Sequence, residues 1–170
     1  MKTIALIRHA SAGPTPPRGG DIDRPLDSRG RGEIVDLLDR FTQTEMTPQL
    51  VLCSPARRAL ETLEGIRGHS SLAGCTVLIE EGLYLASSSQ LMERLHATDE
   101  NVDSVVLIGH NPGIGMLAHE LAQPYDEKRE GPSLSGDFQT AALAILQFNA
   151  KDWWGIAQSR GVLTTMNAPT

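Results

Sequence analysis

Cysteine is scarce in this chain of 170 residues, which contains only Cys53 and Cys75. Two cysteines without C-x-x-C spacing argue against a disulfide framework and against a cysteine-rich metal site. They are expected to be reduced thiols in a reducing compartment, so the sequence predicts a cytoplasmic protein. Cys53 ends a strand-like run, where it either packs in the core or acts as a reactive thiol.

Long apolar runs and excess positive charge are also absent. No window approaches the roughly 18–20 apolar residues of a membrane-spanning helix. Arg8 and His9 end the short apolar run at the N-terminus before it reaches the length of a signal peptide. The net charge is −6 and the pI is about 5.3, whereas a protein that binds duplex nucleic acid usually carries a basic face. We therefore expect neither a membrane nor a nucleic acid as partner.

The composition that remains, 40% hydrophobic and 21% charged, is typical of a globular protein, and the length predicts one domain over residues 1–170. Strand-like and helix-like apolar patterns alternate along the chain. This order predicts an α/β fold of three layers, with a mostly parallel central sheet and helices on both faces. The predicted strands are residues 3–7, 50–53, 76–79 and 104–108, the helices are residues 30–42, 56–66, 88–97 and 113–121, and a late strand pair covers residues 141–148 and 153–158.

Serine residues and two long loops mark the boundaries of these elements. Ser54 is expected to cap the second helix, and one of Ser87 to Ser89 is expected to cap the third. Residues 11–29 and 122–137 form long polar loops, which are uncommon unless they are functional. Each loop is interpreted either as a lid over the strand ends or as plain surface.

Side chains suited to an anion follow three of the predicted strands. Arg8 and His9 follow the first strand, Arg58 lies in the helix that begins after the second, and His110 follows the fourth. In an open parallel sheet, ligand sites lie beyond the carboxyl ends of the strands. Two arginines and two histidines delivered there predict a single site that suits a phosphoryl group.

Four short motifs, in order along the chain, resemble those of the histidine phosphatase superfamily. Arg8-His9-Ala10 resembles its R-H-G signature with alanine in place of glycine, and residues 54–62 resemble its S-x-x-x-R-A-x-x-T block. Gly109-His110-Asn111-Pro112 resembles a third block, and Arg24-Pro25-Leu26 followed by Gly30 resembles a weaker fourth one. The short length and the Asn-Pro after His110 point to the SixA-like phosphohistidine phosphatase branch. The resemblance implies a phosphoglycerate mutase-like fold.

The resemblance also implies a role for each residue of the site. His9 is the expected nucleophile, whose neutral imidazole attacks phosphorus and forms a phosphohistidine intermediate. Arg8 and Arg58 are expected to bind the phosphoryl oxygens, because a guanidinium group matches their geometry and stays charged. His110 is expected to donate to the same oxygens and to help carry charge in the transition state. Two further substrate-binding residues are expected, Asn111 and Ser54.

The general acid is the open assignment in this site. Glu81 is preferred, because Glu81-Gly82-Leu83-Tyr84 lies about where the third strand of the family enters the site. Glu80, Asp21 and Asp23 are the alternatives. The SixA-like branch often lacks the acid, which suits phosphohistidine, because its labile P–N bond needs an acid less than an ester bond does.

The expected activity is that of a metal-independent phosphatase without a cofactor. The expected partner is a protein that carries phosphohistidine, and a small phosphorylated metabolite is the alternative. Two other classes remain: an inactive phosphate-binding protein, and a nucleotide-binding domain suggested by the G-x-G-x-x-A pattern of residues 113–118. No cluster of His and Cys residues predicts a metal site, and three histidines outside the motifs are expected to be surface or partly buried residues: His69, His96 and His119.

Overall fold

A six-stranded sheet forms the centre of the fold in the computed structural model, which describes residues 1–68, 70–122, 137–157 and 161–167. The strands are β1 (Lys2–Arg8), β2 (Leu50–Cys53), β3 (Thr76–Ile79), β4 (Ser104–Gly109), β5 (Leu143–Phe148) and β6 (Val162–Asn167). The α-helices are α1 (Ser28–Thr42), α2 (Arg57–Arg67), α3 (Ser88–His96) and α4 (Gly113–Leu121). The predictions for His69 and for nearly all of the loop 122–137 lie outside the described residues.

Parallel pairing dominates the sheet, whose strand order is β3-β2-β4-β1-β5-β6. The pairs β1–β4, β2–β4 and β2–β3 are parallel, whereas β5 runs antiparallel to both of its neighbours. Ile108 of β4 lies opposite Ile7 of β1 and opposite Cys53 of β2, so the carboxyl ends of these three strands lie side by side. The predicted α/β fold with a mostly parallel sheet is confirmed, and the residues that follow β1, β2 and β4 share one edge.

Helices cover both faces of the sheet because the side chains of each strand point alternately to the two faces. Ile4 and Leu6 of β1 pack on one face with α3 and α4, and Ala5 and Ile7 pack on the other face with α1 and α2. The helices bury Leu91, Leu95, Leu117 and Leu121 on the first face, and Leu37, Phe41, Leu63 and Ile66 on the second. The chain therefore builds the three predicted layers around two apolar cores.

Two helix caps were predicted from serines, and one of the two predictions is wrong. Ser87 caps α3: its hydroxyl accepts from the N–H of Gln90, whose side chain in turn accepts from the N–H of Ser87. Ala56, rather than Ser54, occupies the N-cap position of α2. The hydroxyl of Ser54 is instead in contact with His110. A cap predicted from local sequence was thus overridden by a contact between distant parts of the chain.

The late strand pair was predicted correctly in its first strand and wrongly in its second. β5 lies within residues 141–148, but its antiparallel partner is β6 rather than residues 153–158. Trp153 is 1% exposed, and its indole N–H donates to the backbone oxygen of Val102 over 2.8 Å. This contact holds the segment against the start of β4, and residues 155–157 form a short 3-10 helix there.

The first long loop, residues 11–29, folds back on itself. Gly13 N–H donates to the backbone oxygen of Pro25, and Ala12 and Leu26 form an antiparallel bridge. Between these contacts, Asp21–Asp23 form a 3-10 helix at the tip of the loop. Within the described residues, no helix combines the length and apolar character needed to cross a bilayer.

Candidate active site

The strand ends and the first turn of α2 bring the predicted polar side chains together at one edge of the sheet. Arg8 ends β1, His9 follows it, His110 follows β4, and Arg58 lies in the first turn of α2. His9, Arg58 and His110 are only 9%, 3% and 3% exposed. The rings of His9 and His110 lie 5.0 Å apart between centroids, and the charge of Arg8 acts on both histidines. Four residues from three distant segments therefore form one buried, cationic site.

The hydrogen bonds of His9 determine which ring nitrogen is available. Nδ1 lies 2.7 Å from the backbone oxygen of Ala10, and a carbonyl oxygen can only accept, so we assign the proton to Nδ1. Nε2 then carries the lone pair, and Arg58 donates to it from Nε over 3.3 Å. A neutral imidazole oriented in this way has an unprotonated nitrogen that can act as the nucleophile once substrate displaces the hydrogen bond from Arg58.

The surroundings of His9 also keep its ring neutral. The pKa of His9 is lowered to about 4, first by burial and further by the positive charges of Arg58 and Arg8, while the hydrogen bond to Ala10 opposes the shift. At neutral pH the lone pair of Nε2 is therefore present without prior loss of a proton.

Each nitrogen atom of the Arg58 side chain donates to a neighbour. Nε donates to His9, Nη1 donates to the backbone oxygen of Asp21 over 2.7 Å, and Nη2 donates to Asp21 Oδ2 over 3.0 Å. Arg57, in contrast, is exposed and forms an ion pair with Glu61 one turn further along α2. Of these two neighbouring arginines, only Arg58 therefore contacts the site.

Arg8 and Asn111 meet at the backbone oxygen of Phe138. Arg8 donates to it from Nη1 over 2.9 Å, and Asn111 donates from Nδ2 over 2.7 Å. Arg8 Nε is buried and has no hydrogen-bond partner among the described residues, so Arg8 retains a donor for an anion. The amide N–H of Asn111 that was predicted to contact substrate is directed at Phe138 in this structure. Substrate binding by Asn111 therefore stays a prediction.

Ser54 contacts His110 and is itself fully buried. Its hydroxyl lies 2.7 Å from His110 Nε2 and accepts from the N–H of Ala56. The pKa of His110 is lowered to about 3, first by burial and then by the nearby His9 and Arg58. In this structure the Ser54 hydroxyl contacts His110, so direct contact between Ser54 and substrate stays a prediction.

Tyr84 and Asp21 complete the site, and sequence reasoning assigned no role to Tyr84. The Tyr84 hydroxyl donates to Asp21 Oδ2 over 2.6 Å, and its ring packs edge-on against His110, with centroids 5.6 Å apart. The Arg58 guanidinium lies 6.0 Å from the Tyr84 ring centre. Tyr84 belongs to the segment Glu81-Gly82-Leu83-Tyr84, so the segment predicted to enter the site does reach it, through Tyr84.

Asp21 carries a stable negative charge at this site. The hydroxyl of Tyr84 first, and then Arg24 and Arg58, hold the pKa of the Asp21 carboxyl well below its usual range. The carboxylate is therefore ionised at neutral pH. Residues 11–29 reach the site through this contact, which favours the lid interpretation of that loop over plain surface.

The structure brings neither glutamate after β3 into contact with the two histidines. Glu80 forms a two-point ion pair with Arg94, at 2.6 and 2.8 Å. Glu81 is exposed and has no hydrogen bond or ion pair with another side chain in the part of the chain that the structure describes. The catalytic role predicted for Glu81 therefore gains no support from this geometry, and Asp21 is the acidic side chain that contacts Arg58.

Two other predictions concern cysteine chemistry and metals. Cys53 is fully buried in the sheet, and burial raises the pKa of its thiol to about 12, which agrees with core packing rather than with a reactive thiol. Among the described residues, no group of three or more His, Cys, Asp or Glu side chains is arranged to hold a metal ion.

Comparison with known proteins tests the predicted family resemblance. Residues 4–84 match the model of the histidine phosphatase superfamily, branch 1. The fold superimposes on SixA of Agrobacterium tumefaciens, a provisionally assigned phosphohistidine phosphatase, with 28% identity, a TM-score of 0.77 and coverage of 99% of this chain and 98% of that one. The predicted resemblance to the histidine phosphatase superfamily is confirmed over residues 4–84.

Other proteins of similar length match nearly the whole chain. An uncharacterized protein of Mycobacterium tuberculosis is 28% identical over 165 residues, which cover 96% of this chain and 99% of the relative. SixA of Nakamurella multipartitia has 23% identity, a TM-score of 0.82 and coverage of 99% and 96%. A mycobacterial glucosyl-3-phosphoglycerate phosphatase has 17% identity, a TM-score of 0.66 and coverage of 99% and 100%. The last two likenesses show a shared fold.

The structure explains why one position of the superfamily motifs in this chain requires glycine and why another accepts alanine. A Cβ at Gly30 would overlap the backbone oxygen of Ser11, so the weaker fourth motif requires glycine there. Ala10, which stands where the superfamily signature has glycine, is fully buried, and its N–H donates to Thr62 Oγ1 over 3.0 Å. The added methyl group is accommodated, and the backbone oxygen of Ala10 still accepts from His9.

Proposed function

We propose that this protein is a phosphatase that carries the phosphoryl group on His9 during turnover. The orientation of His9 carries the proposal: Ala10 holds the proton on Nδ1, which leaves the lone pair of Nε2 beside Arg58 and His110. Phosphoryl transfer depends mainly on positioning and on stabilisation of charge, and the guanidinium groups of Arg8 and Arg58 supply that charge.

In the first step, the lone pair of His9 Nε2 forms a bond to phosphorus. The bond from phosphorus to the leaving group breaks, and the leaving group departs with that electron pair. Arg8 and Arg58 bind the non-bridging oxygens, and His110 donates to them from Nδ1, which has no partner among the described residues. Ser54 positions His110 for this task by its contact with Nε2.

In the second step, water attacks the phosphorus of phospho-His9. The P–N bond breaks, its electron pair returns to Nε2, and inorganic phosphate leaves with the oxygen and both protons of the water. The ring keeps its Nδ1 proton through both steps, and the backbone oxygen of Ala10 stabilises the positive charge that the phosphorylated ring carries.

Protein phosphohistidine is the substrate that we propose, with a small phosphate ester as the alternative. Similarity to SixA proteins supports the first choice. The exposed position of Glu81 supports it as well, because a P–N bond is labile and needs less acid catalysis than an ester bond. The fold shared with glucosyl-3-phosphoglycerate phosphatase supports the alternative. We further propose that the protein works without metal and in the cytoplasm, where its free cysteines, Cys53 and Cys75, would remain reduced.

The experiment that tests this proposal measures turnover in the presence of EDTA. A carrier protein bearing phosphohistidine and p-nitrophenyl phosphate are the two substrates, and His9→Ala is compared with His119→Ala, a histidine in the last turn of α4. We expect wild type and His119→Ala to turn over both substrates and His9→Ala to lose both activities. Wild-type enzyme quenched in alkali, where phosphohistidine is stable, should carry a phosphoryl group on His9, detected by mass spectrometry.

Each other result has a defined meaning. Turnover of p-nitrophenyl phosphate alone would move the substrate to a small ester. Binding of phosphorylated protein without turnover or labelling would support the inactive binding protein instead. Wild-type activity in His9→Ala would show that another group is the nucleophile.

A further inference from the structure

The carboxylate of Asp21 lies between the buried part of the site and solvent. Its side chain is 46% exposed, whereas the Arg58 side chain to which it is bonded is 4% exposed. His9, which contacts the opposite end of the Arg58 guanidinium group, is also nearly buried. The order from inside to outside is therefore His9, Arg58 and Asp21.

The reaction geometry determines which part of a substrate meets Asp21. The attacking and leaving atoms lie roughly in line on opposite sides of phosphorus. Because His9 attacks from the buried side, the leaving group faces the open side of the site. The acidic side chain there that contacts Arg58 and Tyr84 is Asp21.

The contacts of Asp21 make it a hydrogen-bond acceptor rather than a proton donor. Oδ2 accepts from Arg58 and Tyr84, and Oδ1 accepts from Arg24 over 3.1 Å. All three partners donate, which stabilises the ionised carboxylate. An ionised carboxylate has no proton to give to an alkoxide, but it attracts a leaving group that carries a proton on nitrogen.

We propose that Asp21 determines leaving-group specificity by accepting a hydrogen bond from the protonated nitrogen of an imidazole leaving group. This inference rests on the function proposed above. For N-phosphoryl imidazole with a proton on its other nitrogen, His9 Nε2 bonds to phosphorus and the P–N electron pair returns to the leaving ring. The departing imidazole is neutral and keeps its proton, and its N–H donates a hydrogen bond to Asp21. No further acid is required.

The same carboxylate disfavours leaving groups that become negative. A p-nitrophenolate leaves without a proton and develops negative charge on the side of the site where Asp21 lies. Repulsion between these like charges raises the barrier for this ester. Asp21 therefore affects the two substrate classes in opposite directions.

Asp21→Asn tests the inference, with Asp23→Asn as the matched control. Both residues lie in the same 3-10 helix, but Asp23 accepts from the N–H of Gly20 and has no contact with Arg58 among its described hydrogen bonds. We expect Asp21→Asn to lower kcat/KM for phosphohistidine by roughly 10- to 100-fold, the loss of one hydrogen bond to a charged group. For p-nitrophenyl phosphate we expect a rise of roughly 2- to 10-fold. Asp23→Asn should match wild type on both substrates.

Asp21→Glu keeps the charge, so it should retain a larger ratio of phosphohistidine to ester turnover than Asp21→Asn does. Equal losses on both substrates in Asp21→Asn would overturn the inference and leave Asp21 with the structural task of holding Arg58. A loss confined to the ester would overturn it as well and would make Asp21 a general acid. Failure of the proposed function is visible separately, because wild-type enzyme would then not hydrolyse phosphohistidine at all.

Discussion

At the scale of the residue, the hydrogen bonds of a buried histidine determine which of its two ring nitrogens is available to a substrate. His9 and His110 are both buried histidines, yet Ala10 holds Nδ1 of the first and Ser54 holds Nε2 of the second. The ring nitrogen that remains is Nε2 in His9 and Nδ1 in His110. The sequence predicted the two histidines, but it could not predict which nitrogen of each is available.

The two neighbouring arginines of α2 give a prediction at this scale. Arg58→Ala is expected to lower kcat/KM for a phosphoryl substrate by roughly 100- to 1000-fold, because a preorganised donor to the transferred group is lost. Arg57→Ala removes an exposed ion pair worth about 0–1 kcal/mol and should leave activity within roughly twofold of wild type. Steady-state kinetics on p-nitrophenyl phosphate compare them, and equal losses in both variants would contradict the assignment of Arg58.

At the scale of the element, apolar periodicity was sufficient to predict where most helices and strands lie along the chain. The predicted bounds of β2, β3 and α4 agree with the structure, because each pattern has a clear start and end. The prediction failed at β6. Residues 153–158 were expected to pair with β5, but β6 pairs with it, and Trp153 donates to the backbone oxygen of Val102 instead. Local patterns cannot report such a contact, since its residues lie far apart in sequence.

Two glycines in α1 give a prediction at the scale of the element. Gly32 has open space around a built Cβ, so Gly32→Ala should raise the free energy of unfolding by about 0.5–1 kcal/mol through helix propensity. Gly30→Ala should lower it by about 1–3 kcal/mol, because the new methyl group overlaps the backbone of Ser11 and the loop must shift. Urea denaturation measures both, and stabilisation by Gly30→Ala would show that the loop yields at little cost.

At the scale of the whole molecule, the sheet joins two apolar cores and places the cationic site at the edge where β1, β2 and β4 end. Burial of that site is a property of the complete fold, since strand ends, the first turn of α2, Tyr84 and the loop 11–29 all contribute contacts to it. The same burial couples the protonation of the histidines to the stability of the molecule.

The pH dependence of stability tests this coupling. The folded-state pKa of His9 is about 4, below the value of 6.5 for an unperturbed histidine, so the unfolded chain binds the proton first as the pH falls. Stability is therefore complete above about pH 6.5 and decreases between about pH 6.5 and 4, by an amount on the order of 3 kcal/mol at most for His9. Urea denaturation at pH 7.5 and pH 5 measures the decrease. His9→Asn should reduce it, and an unchanged pH dependence in that variant would contradict the neutral, buried His9.

The order of the elements, the mostly parallel sheet and the delivery of Arg8, His9, Arg58 and His110 to one edge could be predicted from the residues alone, because they follow from local periodicity and from the geometry of parallel strands. The contacts of Asp21 and Tyr84 with Arg58 and with each other, and the contact of Ser54 with His110 in place of a cap on α2, could not. These contacts join residues far apart in sequence. Buried polar groups need hydrogen-bond partners, and both their burial and the short distances between these side chains arise only once the chain has folded.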